Sequence, residues 1–438
     1  MGDPQRSPAL GHSRSRSVAK PRSSMTGPLE AADDPLASTL SPSQPGPATQ
    51  RAHQSMLSPR SPQPSRGRSA PGSPVPQLGE PKAKEFSFLL RPEIYHPITP
   101  LNIPVAFRNS PKQPGPEIPL EELLAKGHFR AAAVAAVQEL TGLGATGGID
   151  PHDSQRIFRL LYTRLACLTL IDATSLAAQE VKALEDLNNV RVYVDEATGE
   201  HLVPWELRVL NVRLQALGFG DTRRAVMSYH DLAREARARI VKSTASHDNS
   251  ATELWKSRLA DLGIKVAGAL IEMGDVPGAA SHLEGLRDRG ESKLIFSKAL
   301  LLLHLGDTER ARACAQKCTE DQALTNKIIL ALCDMADTEF EAALEKWQDL
   351  RLEHDDEMIG VNAAVCLLYL GRLQDSRDVL EGLVGKGLSS HTLLFNLSTV
   401  YELCTEKHRN MKTKLAERVA AFDETPSGWE KTTADFKL

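Results

Sequence analysis

From about residue 118 to 405, apolar positions recur at the spacing of one helix face, in stretches interrupted by short breaks. Four breaks follow one grammar. They read Gly274-Asp275, Gly306-Asp307, Asp337-Thr338 and Gly371-Arg372, and shortly after each comes a small residue: Ala279, Ala311, Ala343 and Ser376. An apolar position follows four further on, at Leu283, Ala315, Trp347 and Leu380. The small residues lie 32, 32 and 33 residues apart. This pattern predicts pairs of antiparallel helices. The turn residue ends the first helix, and the small residue lets the second approach it closely. Three looser copies precede the regular quartet: Gly127 with Ala132 and Ala136, Asp172 with Ala177, Val181 and Leu184, and Gly220-Asp221 with Ala225, Tyr229 and Leu232. Intervals here are 45, 48 and 54 residues, and the excess is assigned to insertions at 141–151, 188–203 and 242–252. In the middle insertion, residues 190–194 alternate like a strand and predict a small hairpin. Pro204 suits the N1 position of the helix that follows.

A helix–turn–helix repeat with a period near ~34 is the tetratricopeptide (TPR) signature. The expected fold is all-α: a TPR-like solenoid of about seven helical hairpins over 118–405, wound as a right-handed superhelix. One hairpin cannot bury its own faces, so hairpins stack into a continuous core. Within 406–438, Met411, Leu415 and Val419 predict a capping helix over 406–420. Residues 421–438 either fray or dock through Trp429 and Phe436.

Upstream of the repeats, residues 86–117 carry prolines at 92, 97, 100 and 104, which forbid a regular helix. Apolar anchors such as Phe86, Leu89, Ile98, Ile103 and Phe107 predict an extended segment pinned onto the solenoid or a partner. Residues 1–85 are rich in Pro, Ser, Gly and Arg and are expected to be a disordered tail. Serine precedes proline at Ser7, Ser41, Ser58, Ser61 and Ser73, a pattern that suits either proline-directed phosphorylation or plain solubility. Asp33, Asp34, Pro35, Leu36 and Leu40 form an acidic start followed by two leucines, readable as a short docking motif or as ordinary tail.

Charge divides the chain. Residues 1–90 hold 11 Lys+Arg against 6 Asp+Glu, a net of +5; the remainder holds 41 against 50, a net of −9. An acidic body argues against nucleic acid as a partner. No leader-like apolar region is seen in residues 1–25, and no apolar run approaches ~18 residues. Arg6 stands where a Gly2 myristoylation motif wants Ser or Thr, and Phe436 spoils the peroxisomal reading of the last three residues. Six cysteines (Cys167, Cys314, Cys318, Cys333, Cys366 and Cys404) all lie in helix-patterned stretches, so buried reduced thiols in a cytoplasmic protein are expected. Phosphate-binding loops, dinucleotide fingerprints and nucleophile elbows are absent from the sequence. No enzyme activity, cofactor or metal is therefore expected. Cys314 and Cys318 share a helix face but have no second ligand pair nearby. His304 reads as a half-buried helix residue, and Glu341, Glu345, Asp349 and Glu353 as a solvated stripe. Asn362 and Asn396 lie 34 apart in one register, where asparagine either contacts a peptide in a TPR groove or braces neighbouring helices. The cations of a carboxylate clamp are missing beside them, which weakens a co-chaperone adaptor that reads C-terminal peptides.

Residues 362–376 (NAAVCLLYLGRLQDS) and 393–403 (LLFNLSTVYEL) resemble the closing repeats of the twelfth-subunit family of TRAPP, a vesicle-tethering transport protein particle. Residues 254–259 (LWKSRL), Val203-Pro204-Trp205 and the 33–40 segment resemble further pieces of that family in the same order. The short, basic tail departs from the family pattern. The resemblance implies a non-catalytic scaffold subunit of the TRAPP III form, at work in ER-to-Golgi traffic and autophagy. Implied partners are large subunits like the eighth and eleventh, and the core subunits that perform nucleotide exchange. Through them it implies a Rab-family GTPase and coat proteins. It also implies a cytoplasmic protein held peripherally at Golgi and ER-Golgi intermediate membranes through the complex.

Overall fold

The turn between two helices of a repeat is built from two residues with separate tasks. Gly274 and Gly306 adopt left-handed φ values of +81° and +78° and end one helix. Asp275 and Asp307 then cap the next, accepting from the backbone N–H of Gly278 (2.9 Å) and Arg310 (3.0 Å). At the irregular break the left-handed position falls to Thr338 (φ +66°), a β-branched residue for which that conformation is costly.

A computed structural model describes residues 84–144, 147–286, 292–318 and 322–438. The 33–40 segment and the Ser-Pro pairs lie outside the described residues. Two 3₁₀ turns, Ser87–Leu90 and Pro92–Ile94, precede the one-turn helix α1 (Val105–Arg108). Helical hairpins follow: α2 (Leu120–Ala125) with α3 (Phe129–Thr141), and α4 (Ser154–Leu170) with α5 (Thr174–Glu180). After the single turn α6 (Val190–Tyr193) come α7 (Trp205–Phe219) with α8 (Thr222–Ala245), and α9 (Asn249–Glu272) with α10 (Val276–Gly285). Then come α11 (Ser292–His304) with α12 (Thr308–Ala315), α13 (Ala323–Ala336) with α14 (Phe340–Glu353), and α15 (Glu357–Tyr369) with α16 (Leu373–Gly385). The last pair is α17 (His391–Cys404) and α18 (His408–Ala420). Most helices pack chiefly on their sequence neighbours, and α4 with α7, α9 with α11, α11 with α13 and α15 with α17 also touch. The fold is the all-α solenoid of stacked hairpins that the repeat predicts.

The small residues sit where the helices cross. Ala132, Ala177, Ala279, Ala311, Ala343 and Ser376 are fully buried, and Ala225 nearly so. The Ser376 hydroxyl donates to the Ala364 carbonyl at 2.8 Å, so the polar atom is satisfied inside the contact. Leu283, Ala315, Trp347 and Leu380 are buried one turn on.

Two local expectations are corrected, and one insertion takes a defined form. Residues 190–193 form a helical turn, not a strand: the Asn189 side chain accepts from the Arg191 N–H at 3.2 Å and starts it. An isolated two-stranded hairpin is marginal in water, and only one antiparallel bridge, Val194 to His201, survives among the described residues. The 242–252 insertion is mostly helical. Its residues lengthen α8 and α9, leaving 246–248 as the turn, with Ser243 and Thr252 hydroxyls hydrogen-bonded across it (2.8 Å) and Asp248 capping α9. Pro204 stands at the cap before α7 rather than at N1.

Enlarging Ala311 to Phe overpacks the α11–α12 contact, with an expected loss of about 1–3 kcal/mol in urea unfolding followed by circular dichroism. The control Leu352→Ala, at a position 89% exposed, should stay within about 0.5 kcal/mol of the parent.

Candidate functional site

Residues 84–117 form a strap across the hairpins, anchored at its start by two of the insertions. The Lys84 ammonium donates to the Arg191 carbonyl and pairs with Glu196, both at 2.7 Å. The Phe86 N–H donates to the Pro151 carbonyl at 2.9 Å. The Phe86 ring is buried edge-on against Phe158 (centroids 4.8 Å) and stacked near Tyr193 (6.1 Å). Burial pushes the Tyr193 phenol up to about 12, and its hydroxyl donates to the Leu184 carbonyl.

Further along, a buried ion pair grips the strap's backbone. Arg164 on α4 is 2% exposed, and so is Glu180 at the end of α5. Arg164 Nη2 and Nε reach the two Glu180 oxygens at 2.7 and 3.0 Å, a two-pronged pairing. The same pair holds both peptide groups of His96: Arg164 Nη2 donates to its carbonyl (2.7 Å), and Glu180 Oε1 accepts from its N–H (2.8 Å). Arg164 Nη1 also donates to the Ala133 carbonyl on α3 (3.1 Å). Tyr95 lies half-buried near this pair, and desolvation, with the Glu180 charge second, raises its phenol above the usual range.

The strap then crosses to the last hairpins. Ile103 and Phe107 are buried among Val361, Leu380, Leu394 and Leu397, and Phe107 packs against Trp429 (5.3 Å) and Phe436 (6.1 Å) of the segment after α18. That segment touches the first hairpin in turn. The Trp429 N–H donates to the Gly127 carbonyl (3.3 Å), and the Thr433 N–H to that of Asn102 (2.7 Å). Arg130 pairs with Glu430 at 2.7 Å, and His128 Nε2 lies 3.0 Å from Glu424. Gly127 (φ +73°) is obligatory twice over, since a Cβ there would stand 2.2 Å from the Thr425 carbonyl. Strap and C-terminal segment thus join the two ends of the hairpin array.

Three charges lock the C-terminal segment onto α17. Lys412, 2% exposed, donates to Glu402 (2.5 Å) and to the Lys437 carbonyl (3.0 Å), while the Lys437 ammonium reaches the other Glu402 oxygen at 2.5 Å. Hydrogen bonds from these two ammonium groups hold the Glu402 carboxyl down at about 2.

Of the residues singled out in the sequence, Asn362 and Asn396 are both half-buried, on α15 and α17, which pack together. The Asn362 amide donates to the Met358 carbonyl of its own helix at 3.0 Å. Cys167, Cys314, Cys333 and Cys366 are buried. Burial pushes the Cys167, Cys333 and Cys366 thiols up to about 11. Sequence reasoning missed Arg164, Glu180, Lys412 and Glu402. The structure also brings together two segments quoted for the family resemblance: Trp205 and Trp255 meet edge to face at 5.2 Å, with the Arg258 guanidinium over both rings at 5.3 and 4.7 Å.

This arrangement is built to hold a shape; among the described residues no His/Cys/Asp/Glu group suits a metal, and no helix is long and apolar enough to cross a membrane. No family model matches the chain. It is 26% identical over 342 residues to the mouse protein named trafficking protein particle complex subunit 12, and 25% identical over 340 residues to the human one. The chain is similar in sequence to those subunit 12 proteins. The matches cover 69% of this chain but 42% and 46% of the mouse and human proteins, so it spans less than half the length of these relatives. Among solved structures, a tetratricopeptide repeat protein from Parabacteroides merdae overlays with a TM-score of 0.34 at 12% identity, covering 60% of this chain and 90% of that one. The P58(IPK) TPR domain gives 0.19 at 12% identity, covering 68% and 89%. At those scores the fold assignment rests on the repeats themselves.

Arg164→Met leaves Glu180 buried and unpaired, with an expected loss of about 3–5 kcal/mol. Hydrogen exchange over 94–98 should accelerate more than over α13–α16, and equal acceleration would disprove a local clamp. Glu402→Gln isolates the second lock. A carboxylate held at about 2 against an ordinary 4.5 stabilises fully above pH 4.5, and the contribution fades as pH falls towards 2. The stability difference between parent and variant in urea should therefore shrink over that window and be flat above it.

Proposed function

We propose that this chain is a non-catalytic scaffold subunit of a TRAPP-type vesicle-tethering complex, in the TRAPP III setting of ER-to-Golgi traffic and autophagy. The observation that carries the reading is the similarity to subunit 12 over 342 residues. In this reading the array binds other TRAPP subunits: large ones like the eighth and eleventh, and the core subunits of the Rab exchange machinery. Contact with a Rab-family GTPase, coat proteins and the Golgi or ER-Golgi intermediate membrane is indirect, through the complex. Stacked hairpins offer extended surfaces for protein partners, and the strap ties the first of them to the last. The groove contacts Asn362 and Asn396 belong to this proposal as secondary sites.

Native affinity purification of the tagged full chain, with mass spectrometry of co-eluting proteins, tests it. TRAPP core and large subunits at near-stoichiometric levels are expected. Chaperones alone, with no TRAPP subunit, would overturn the reading and leave a co-chaperone adaptor in its place.

A further inference from the structure

The packing of α8 leaves a regular seam of its residues uncovered. Ala225, Tyr229, Leu232 and Ala233 are buried in the core shared with α7 and α9. On the opposite side of the helix, Arg223, Met227, His230, Arg234, Arg237 and Val241 follow at spacings of 4, 3, 4, 3 and 4 residues. That is the average step of 3.5 that keeps side chains on one line while a second helix winds along it. All six are exposed, Met227 by 64% and Val241 by 70%. The seam is about 27 Å long, at 1.5 Å per residue.

Charge narrows what can lie on it. The seam holds three arginines and a histidine and no acidic residue. The whole of α8 carries six Lys+Arg against two Asp+Glu, although residues 91–438 are net negative at −9. Both of its carboxylates are engaged, Glu235 by Arg208 of α7 and Asp231 by Arg234. The second pair joins exposed groups three residues apart and is weak enough to exchange. Arg223 and Arg237 form no ion pair among the described residues. A second copy does not suit the seam, because two such faces set side by side bring cation against cation. Nor does a lipid surface, which needs a continuous apolar stripe; the two large apolar residues of the seam stand 14 positions apart. What fits is a helix of another protein, with Asp or Glu facing the arginines and apolar side chains facing Met227 and Val241. We infer that the outer face of α8 receives such an acidic amphipathic helix along about five turns. The inference rests on the scaffold reading and names one surface through which a protein partner is held.

Photo-crosslinking from the seam tests this. The tagged full chain, with p-benzoylphenylalanine in place of the exposed Val241, is expressed in its own host cells and irradiated, and the linked peptides are sequenced. The expected product is a peptide of a different protein, net negative and with apolar residues at heptad spacing. Its yield should fall about five-fold or more in Arg223→Glu/Arg237→Glu. It should fall similarly in Met227→Asp, about four turns from the probe, since the helix is held along the whole seam. Circular dichroism identical to the parent confirms that each variant is folded. A linked peptide lacking that charge or spacing, a link to a second copy, no link, or a yield that ignores both variants would overturn the assignment. So would flotation on vesicles of equal parts phosphatidylcholine and phosphatidylserine that the charge reversal abolishes. Co-purified TRAPP subunits are scored separately in the same sample. Their presence without the α8 link sinks this inference alone; the link without any TRAPP subunit sinks the scaffold reading alone.

Discussion

The course of the strap over this solenoid depends on one desolvated ion pair. Arg164 and Glu180 are removed from water, a cost that their mutual attraction repays only with excellent geometry and further hydrogen bonds. The further bonds come from the strap: the N–H and C=O of His96 complete the coordination that the two side chains leave open. Strap and pair are thus interdependent. Without the strap, the pair is an under-satisfied polar group in a core of Leu161, Leu165 and Leu168. Without the pair, the strap's backbone at His96 loses both partners. Because the grip is on backbone, it fixes where the strap lies and leaves its side chains free for the hydrophobic anchors on either side.

The anchors and the clamp divide the labour between energy and position. Phe86, Leu89, Ile103 and Phe107 bury large apolar surfaces, and full burial of each such side chain is worth about 1.5–3 kcal/mol. Apolar contacts alone do not specify register well. Register comes from the polar contacts: Lys84 at Glu196, His96 at the buried pair, Asn102 at Thr433 and Arg130 at Glu430. Unlike an open array whose repeats touch only their neighbours, this one has its first hairpin and last helices tied by common segments.

The repeat was legible because its physics is local. A left-handed turn, a capping aspartate and a small residue on the second helix each leave a mark within a few positions, which is why Gly274 through Ser376 read cleanly. The 190–194 alternation misled because a period of two is a strand signal only when a partner strand exists; here Asn189 offered the backbone a helical turn instead. The 242–252 stretch was legible only as extra length, and packing between α8 and α9 makes most of that length helix. The clamp was hidden for another reason. Arg164 is visible as a charge on an apolar stripe, three residues after Leu161 and four before Leu168. Its partners, however, lie 16 and 68 residues away and are set by tertiary approach.

Joining residue 102 to residue 433 has a consequence for how the chain is made. On a ribosome the hairpins can stack one by one as they emerge, since each needs only its neighbour. The strap's second half cannot finish docking until the segment after α18 exists. At about 5–20 residues per second, the roughly 330 residues between these points take on the order of 15–65 s to appear. Throughout that interval Ile103 and Phe107 have no Trp429 or Phe436 to pack against, so the nascent chain carries an uncovered apolar patch until that segment has been made.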